Sequence, residues 1–166
     1  SGIYNLAKIS KKVVEDTREK IANAINAKPE NIFFTSGGTE SDNWVLDNAQ
    51  NFGRQIITSK IEHHAILNTC AYLEKNGFEV TYLDVGTDRY GMVNPYDIES
   101  AIDGDTALIS VMFANNEVGT IEPIGAIGKI ARKRNIIFHT DAVQAFCHVP
   151  IDVEEDNIDL LSASSH

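Results

Sequence analysis

Four short motifs carry the side chains that can do chemistry, and the first of them is rich in glycine. Residues 35–41 read TSGGTES. Glycines allow a tight turn and a close approach of the backbone to a ligand, and free N–H groups at a helix start suit a phosphate. An ordinary Gly-rich turn with Thr39 capping the helix explains the same residues. The motif is therefore a candidate phosphate site, with helix capping as the alternative.

The second motif contains two adjacent histidines, His63 and His64, which follow Glu62. Adjacent histidines point in different directions, so this pair is not expected to chelate a metal. A single His63 that faces a cleft can stack on a planar ring. The alternative is a loop histidine without a role.

The third motif, residues 114–120 (ANNEVGT), follows a predicted strand and contains Asn115 and Asn116. An amide side chain at this place can donate a hydrogen bond to a ligand oxygen. A turn built from Asn, Asn and Gly explains the same composition. Both interpretations stay open on these residues alone.

Residues 139–144 (HTDAVQ) form the fourth motif, in which Asp141 ends a predicted strand. Gln144 follows three residues later, and if a helix begins here, one turn brings the two side chains to the same side. A carboxylate that faces a pyridinium nitrogen keeps the ring protonated and electron-withdrawing. The alternative is an Asp that caps the helix.

Strands and helices alternate along the chain, which predicts an α/β fold with a mostly parallel sheet covered by helices on both faces. Ligands of such sheets bind beyond the carboxyl ends of the strands, where the four motifs lie. Apolar residues at helical spacing from Leu6 to Ile25 predict the first helix. The predicted strands are 32–34, 55–59, 78–83, 107–113, 136–139 and 158–163, and the later predicted helices are 39–51, 65–75, 95–101 and 124–134.

Composition excludes several classes of function. The chain has 166 residues, enough for one domain, and a formal net charge of −10, which argues against a nucleic-acid partner. No apolar run is long enough to predict a membrane span. Cys70 and Cys147 form no CxxC pattern, so a reducing cytoplasm is expected. A hydrolase metal site built from His63, His139 and Asp141 is disfavoured because these residues lack a recurrent metal spacing.

Together the motifs carry a family resemblance that covers essentially the whole chain. The five segments TSGGTES, SKIEHHAI, ANNEVGTIEPI, HTDAVQA and DLLSASSH, in this order and spacing, resemble class V aminotransferase-fold enzymes that use pyridoxal 5'-phosphate (PLP). Within these enzymes they resemble the NifS/IscS-type cysteine desulfurases. Each segment is weak alone, whereas five in register are specific. The resemblance implies the large domain of PLP fold type I, incomplete in this chain.

The resemblance also implies a role for each site residue. The PLP phosphate would bind at the helix start, and the pyridine nitrogen would pair with a carboxylate. His63 would stack on the ring and is the candidate catalytic residue. The implied cofactor contacts are Gly38 and Thr39 to the phosphate, His63 to the ring face, Asn116 near the ring substituents, Asp141 to the pyridine nitrogen, Gln144 to the ring hydroxyl, and Ser164 and His166 to phosphate and ring.

The implied reaction converts L-cysteine into L-alanine and an enzyme persulfide that supplies sulfur for iron–sulfur clusters. The implied partners are L-cysteine, a sulfur-acceptor scaffold protein and a second copy in a cytoplasmic homodimer. Residues 1–166 are expected to be part of the PLP-binding domain, ending just before the lysine that binds PLP covalently. Without that lysine and the persulfide cysteine, which neither Cys70 nor Cys147 matches, this chain alone is expected to be inactive. Another class V PLP enzyme (an aminotransferase or selenocysteine lyase) and a non-catalytic interaction module are the alternatives.

Overall fold

Helices and parallel strands alternate along the chain, as the sequence predicts. The structure, a computed structural model, describes residues 2–165. Its strands in chain order are β1 (Gln55–Ser59), β2 (Glu79–Leu83), β3 (Thr106–Ser110), β4 (Ala114–Asn115), β5 (Thr120–Ile121), β6 (Ile137–Asp141) and β7 (Leu160–Ser162). Its α-helices are α1 (Gly2–Ala24), α2 (Gly38–Asn48), α3 (His64–Lys75), α4 (Pro95–Ala101) and α5 (Ile124–Arg134).

Five strands form one parallel sheet in the order β2-β1-β3-β6-β7. Neighbouring residues on a strand point to opposite faces, so each central strand packs against helices on both sides. Ile56 and Leu108 join a core with α2 and α3, whereas Ile57 and Ile109 join a second core with α4 and α5. All five residues of β1 are buried as a result. The predicted α/β class is confirmed.

One predicted strand, at residues 32–34, is wrong. Ile32 has extended backbone angles, but the segment pairs with no strand in the described part of the chain. The carbonyl of Ile32 instead accepts a hydrogen bond from the guanidinium of Arg18. Phe33 packs edge-on against Trp44, with ring centroids 6.0 Å apart, and Arg18 lies over the ring of Phe34. A strand needs a neighbour to satisfy its backbone groups, and side-chain contacts hold this segment in its place.

The first helix forms where its periodicity predicts, but its apolar stripe is not buried. Leu6, Ile9 and Val13 are 67%, 60% and 59% exposed. Its last turn reaches the core through Ala22 and the following Ile25. Periodicity therefore identified the helix but not the extent of its packing. Across residues 2–165, no helical stretch combines the length and apolar character that crossing a membrane requires.

Candidate functional site

Seven of the eight predicted site residues line one cavity at the carboxyl ends of the strands. The cavity has a volume of about 580 Å³. The eighth residue, His166, lies outside the described residues. A second cavity of about 590 Å³, beside α2 and β7, is lined by none of the predicted residues. The seven are Gly38, Thr39, His63, Asn116, Asp141, Gln144 and Ser164.

The Gly-rich motif places the start of α2 in the wall of this cavity. Gly37 occupies the N-cap position without a side-chain capping bond. The suggestion that Thr39 caps the helix is therefore wrong, because Thr39 is already the second residue of α2. The first N–H groups of a helix have no intrahelical partner and suit an anion.

Gly38 is required by the close packing of α2 on the loop after β6. A Cβ atom at this position would lie 2.7 Å from Cγ2 of Val143, which is closer than real Cβ contacts. Glycine lets the backbone of α2 approach this loop and leaves the helix start open to the cavity. The motif therefore forms a backbone cradle of the kind that binds phosphate.

Asp141 ends β6 with a buried side chain at the cavity. Its Oδ1 accepts a hydrogen bond from the N–H of Val143 at 2.9 Å. Residues 143–148 form turns rather than the helix considered from the sequence. They still bring Asp141 and Gln144 to the same cavity. Burial raises the pKa of Asp141, while the Val143 N–H and nearby His63 lower it.

His63 is the N-cap residue of α3 and lines another side of the cavity. Its Nδ1 accepts a hydrogen bond from the N–H of Ala65 at 3.1 Å. The neutral ring therefore carries its proton on Nε2. The planes of the His63 and His64 rings are 89° apart, with ring centroids 6.2 Å from each other. His63 combines helix capping with a side chain that lines the cavity.

The two adjacent asparagines have different tasks. Asn115 Oδ1 accepts hydrogen bonds from the N–H groups of Glu117 and Val118, at 2.8 and 2.9 Å. Its Nδ2 donates to the carbonyl of Ile61 at 2.9 Å, so it ties the β4–β5 hairpin to the segment that carries His63. Asn116 is exposed and lines the cavity. The turn and the ligand-facing amide are therefore separate residues.

Sequence reasoning missed two buried carboxyl groups of this cavity, Glu62 and Asp42. Both oxygens of Glu62 lie 3.0 Å from the N–H of Met112, and Oε1 accepts from the Ser59 hydroxyl at 2.5 Å. Burial raises the pKa of Glu62 to about 8. The available signal was an acidic residue three positions after a predicted strand, because such a residue lies at the sheet edge where ligands bind.

The residues that the structure describes show no arrangement typical of a metal site. Among residues 2–165, no three His, Cys, Asp or Glu side chains are grouped in a way that can hold a metal ion. His139, considered above as a metal ligand, is fully buried, and its ring nitrogens face the hydroxyls of Ser110 and Ser162.

A parallel sheet whose strand ends surround a helix-start cradle and a buried carboxylate defines a class of cofactor-binding α/β proteins. The family model for aminotransferase class-V matches residues 1–166. The chain belongs to the class V aminotransferase family, and this membership implies a PLP cofactor.

Two similar curated proteins are both named cysteine desulfurase IscS. A cysteine desulfurase IscS from Methanosarcina thermophila is 58% identical over 170 residues, covering 100% of this chain and 42% of that relative. A cysteine desulfurase IscS from Clostridium botulinum (strain Kyoto / Type A2) is 55% identical with the same coverage. The resemblance to cysteine desulfurases is confirmed. The chain spans less than half of the length of these relatives.

Solved structures share the fold. One, described as SspA in complex with cysteine, superposes with a TM-score of 0.91 at 42% identity, covering 96% of this chain and 47% of that chain. A NifS-like protein superposes with a TM-score of 0.86, also at 42% identity, covering 92% and 43% of the two chains. These neighbours confirm the parallel-sheet architecture described above.

Proposed function

We propose that the cavity binds PLP and that the complete protein is a cysteine desulfurase acting on L-cysteine. The observation that carries the proposal is the meeting of a helix-start cradle and the buried Asp141 carboxylate in one cavity. The chain contributes to this cavity from α2, from the start of α3, from the β4–β5 hairpin and from the segments after β6 and β7. On this proposal, residues 1–166 are part of the PLP-binding large domain.

The donors of the cavity fit the two ends of the cofactor. The start of α2, with Gly38 and Thr39, would hold the phosphate together with Ser164, because N–H groups and hydroxyls donate to phosphate oxygens. Asp141 Oδ1 is used by the Val143 N–H. Its second oxygen would accept a hydrogen bond from the protonated pyridine nitrogen. His166 is proposed to complete these contacts.

The remaining polar side chains would hold the ring in one orientation. His63 would stack on the ring and is the candidate to move a proton through Nε2, because its Nδ1 is used by the Ala65 N–H. Gln144 and Asn116 are exposed side chains of the cavity wall that would contact the ring hydroxyl and ring substituents. When bound, PLP acts as an electron sink for an amino-acid substrate.

Neither cysteine of the chain is proposed to accept sulfur. Cys70 is a buried residue of α3, and burial raises its pKa to about 12, so it is a poor nucleophile. Cys147 is exposed, but it does not line the cavity. We therefore place the persulfide thiol elsewhere in the complete protein. The names of the relatives support the desulfurase activity. A homodimer, a scaffold protein that accepts the sulfur and a cytoplasmic location are further parts of the proposal.

Asp141→Asn tests this function in the chain as it exists. The variant keeps an oxygen for the Val143 N–H but loses the negative charge. Binding of PLP and of pyridoxine 5'-phosphate, which has no aldehyde to react with lysines, is measured by equilibrium dialysis. A charge-assisted hydrogen bond contributes about 1.5–3 kcal/mol, so both affinities are expected to fall about ten- to hundredfold.

Asp159→Asn is the matched control, because Asp159 accepts a backbone hydrogen bond from Phe138 at 2.9 Å but does not line this cavity. It is expected to leave both affinities unchanged. In the complete protein, Asp141→Asn is expected to reduce alanine release from L-cysteine more than PLP content. Equal affinities of the two variants, or wild-type alanine release at full PLP content, would contradict the proposal.

A further inference from the structure

Asp42 is a buried carboxyl group of the cavity to which the proposed cofactor contacts assign no role. It lies four residues after Gly38 and therefore on the same side of α2, and it lines the same cavity as Asp141. Its side chain is only 1% exposed. Within residues 2–165, Asp42 Oδ1 finds no hydrogen-bond partner. An unpartnered buried carboxylate oxygen is costly, so the surroundings of Asp42 oppose a charge there.

His139 does not supply the missing positive charge. Its Nε2 lies 3.7 Å from Asp42 Oδ1. The ring is fully buried, with Nδ1 2.9 Å from the Ser110 hydroxyl and Nε2 3.0 Å from the Ser162 hydroxyl. Burial lowers the pKa of His139 to about 3, so the imidazole is neutral at physiological pH. Asp42 therefore faces a neutral ring rather than a cation.

Asp141 is better equipped than Asp42 to carry a charge. It accepts a hydrogen bond from the N–H of Val143, and His63 lies near enough to favour its ionised form. Burial, followed by the charge of Asp141, raises the pKa of Asp42 to about 7, while the Ser162 hydroxyl lowers it. Two carboxyl groups at one buried site do not both ionise readily, and the group with the better donors keeps the charge.

The other ionisable groups of the cavity do not change which of the two aspartates keeps the negative charge. Glu62 lies in the segment before α3, and burial raises its pKa to about 8, so it too is neutral near pH 7. Lys60 reaches the cavity, but its ammonium group is paired with Asp84 at 2.6 Å. His64 and Glu117 line the outer part and are exposed to solvent.

We propose that Asp42 is the carboxyl group of the pair that keeps its proton, which leaves Asp141 as the carboxylate that meets a cationic ring. Asp42 is then a positioning residue: its proton keeps a second negative charge out of the cavity wall and preserves the charge of Asp141. Above neutral pH this proton is lost and the cavity gains a second carboxylate. The role toward the ring rests on the proposed function, whereas the location of the proton is a property of the chain without ligand.

The first test is a pH titration of the ligand-free chain labelled with [γ-¹³C]aspartate and observed by NMR. One buried aspartate is expected to titrate near neutral pH, and its resonance is expected to be absent in Asp42→Asn. Asp141→Asn is expected to lower this midpoint by about one pH unit, because the like charge that raises it is gone. Asp159→Asn serves as the control and is expected to leave the midpoint in place.

Two outcomes of this titration would overturn the proposal. One is a resonance of Asp42 that titrates in the ordinary range of an exposed aspartate, and the other is a midpoint that Asp141→Asn does not lower. If Asp42→Asn does not fold, Asp42→Ser serves instead, because the Asp42 resonance is missing from its spectrum and is thereby assigned. A merely structural Asp42 would not move its midpoint in response to Asp141.

The second test measures binding of pyridoxine 5'-phosphate at pH 6, where Asp42 is expected to be neutral. Asp42→Asn is then expected to bind within about twofold of wild type, whereas Asp141→Asn is expected to lose about tenfold or more. A loss in Asp42→Asn equal to that in Asp141→Asn would show that Asp42 carries the charge. If the wild-type chain does not bind this probe, the proposed function fails, and the titration still decides where the proton lies.

Discussion

Replacing Glu62 with glutamine is expected to change the pH dependence of folding stability. The folded chain binds a proton at Glu62 up to about pH 8, because the carboxyl group is buried. In the unfolded chain the group ionises from about pH 4.5. The folded state therefore holds more protons between these values, and the stabilisation present at low pH is lost as the pH rises.

The size of the effect follows from this window. Each pH unit is equivalent to about 1.4 kcal/mol, so wild type is expected to lose up to about 4 kcal/mol at this site between pH 5 and pH 8. Glutamine is neutral throughout and keeps an oxygen for the N–H of Met112 and the hydroxyl of Ser59. Its extra amide donor, left without a partner, costs about 1–3 kcal/mol at every pH. Glu62→Gln should therefore be less stable than wild type at pH 5 and lose that disadvantage by pH 8.

Urea unfolding followed by circular dichroism from pH 5 to pH 8 measures this difference. Glu79→Gln is the matched control, because Glu79 is an exposed residue of β2, and its stability profile is expected to parallel that of wild type. The informative quantity is the slope of the stability difference with pH rather than its value at one pH. If the free energy of unfolding of Glu62→Gln depends on pH in the same way as that of wild type, the reasoning is refuted. Glu62 would then be ionised in the folded chain.

Two further predictions concern packing. Gly38→Ala places a Cβ atom 2.7 Å from Val143 Cγ2, so it is expected to cost about 1–3 kcal/mol of stability and to weaken PLP binding. Adding Val143→Ala to this variant should restore much of the stability and of the PLP affinity. Failure of this rescue would contradict the argument that α2 packs closely on Val143. Ile57→Ala removes a fully buried side chain of β1 and is expected to cost about 2–5 kcal/mol in urea unfolding. Ile121→Ala, at a 51% exposed position of β5, is expected to cost much less, and equal losses would argue against the two-sided core.

Much of the candidate site was predictable because its residues follow strands of a parallel sheet. The carboxyl ends of such strands lie at one edge, so Asp141 and His63 had to approach each other once the sheet order placed β1 and β6 on either side of β3. The turn after Asp141 could not be distinguished from a helix, because both begin with the same hydrogen bonds from the following residues. Asp42 was missed because one acidic residue within a helix is usually solvent-exposed.

The sequence alone determined the α/β class, the position of most helices and strands and the motifs that face the cavity, since periodicity and strand-end residues act over a few neighbouring positions. Tertiary structure decided what depends on partners distant in the chain. The segment at 32–34 has the composition of a strand, yet Arg18 takes its carbonyl hydrogen bond. The protonation of Glu62 and Asp42 is likewise not local, because burial by other elements, rather than residue type, determines which carboxyl groups can hold a charge.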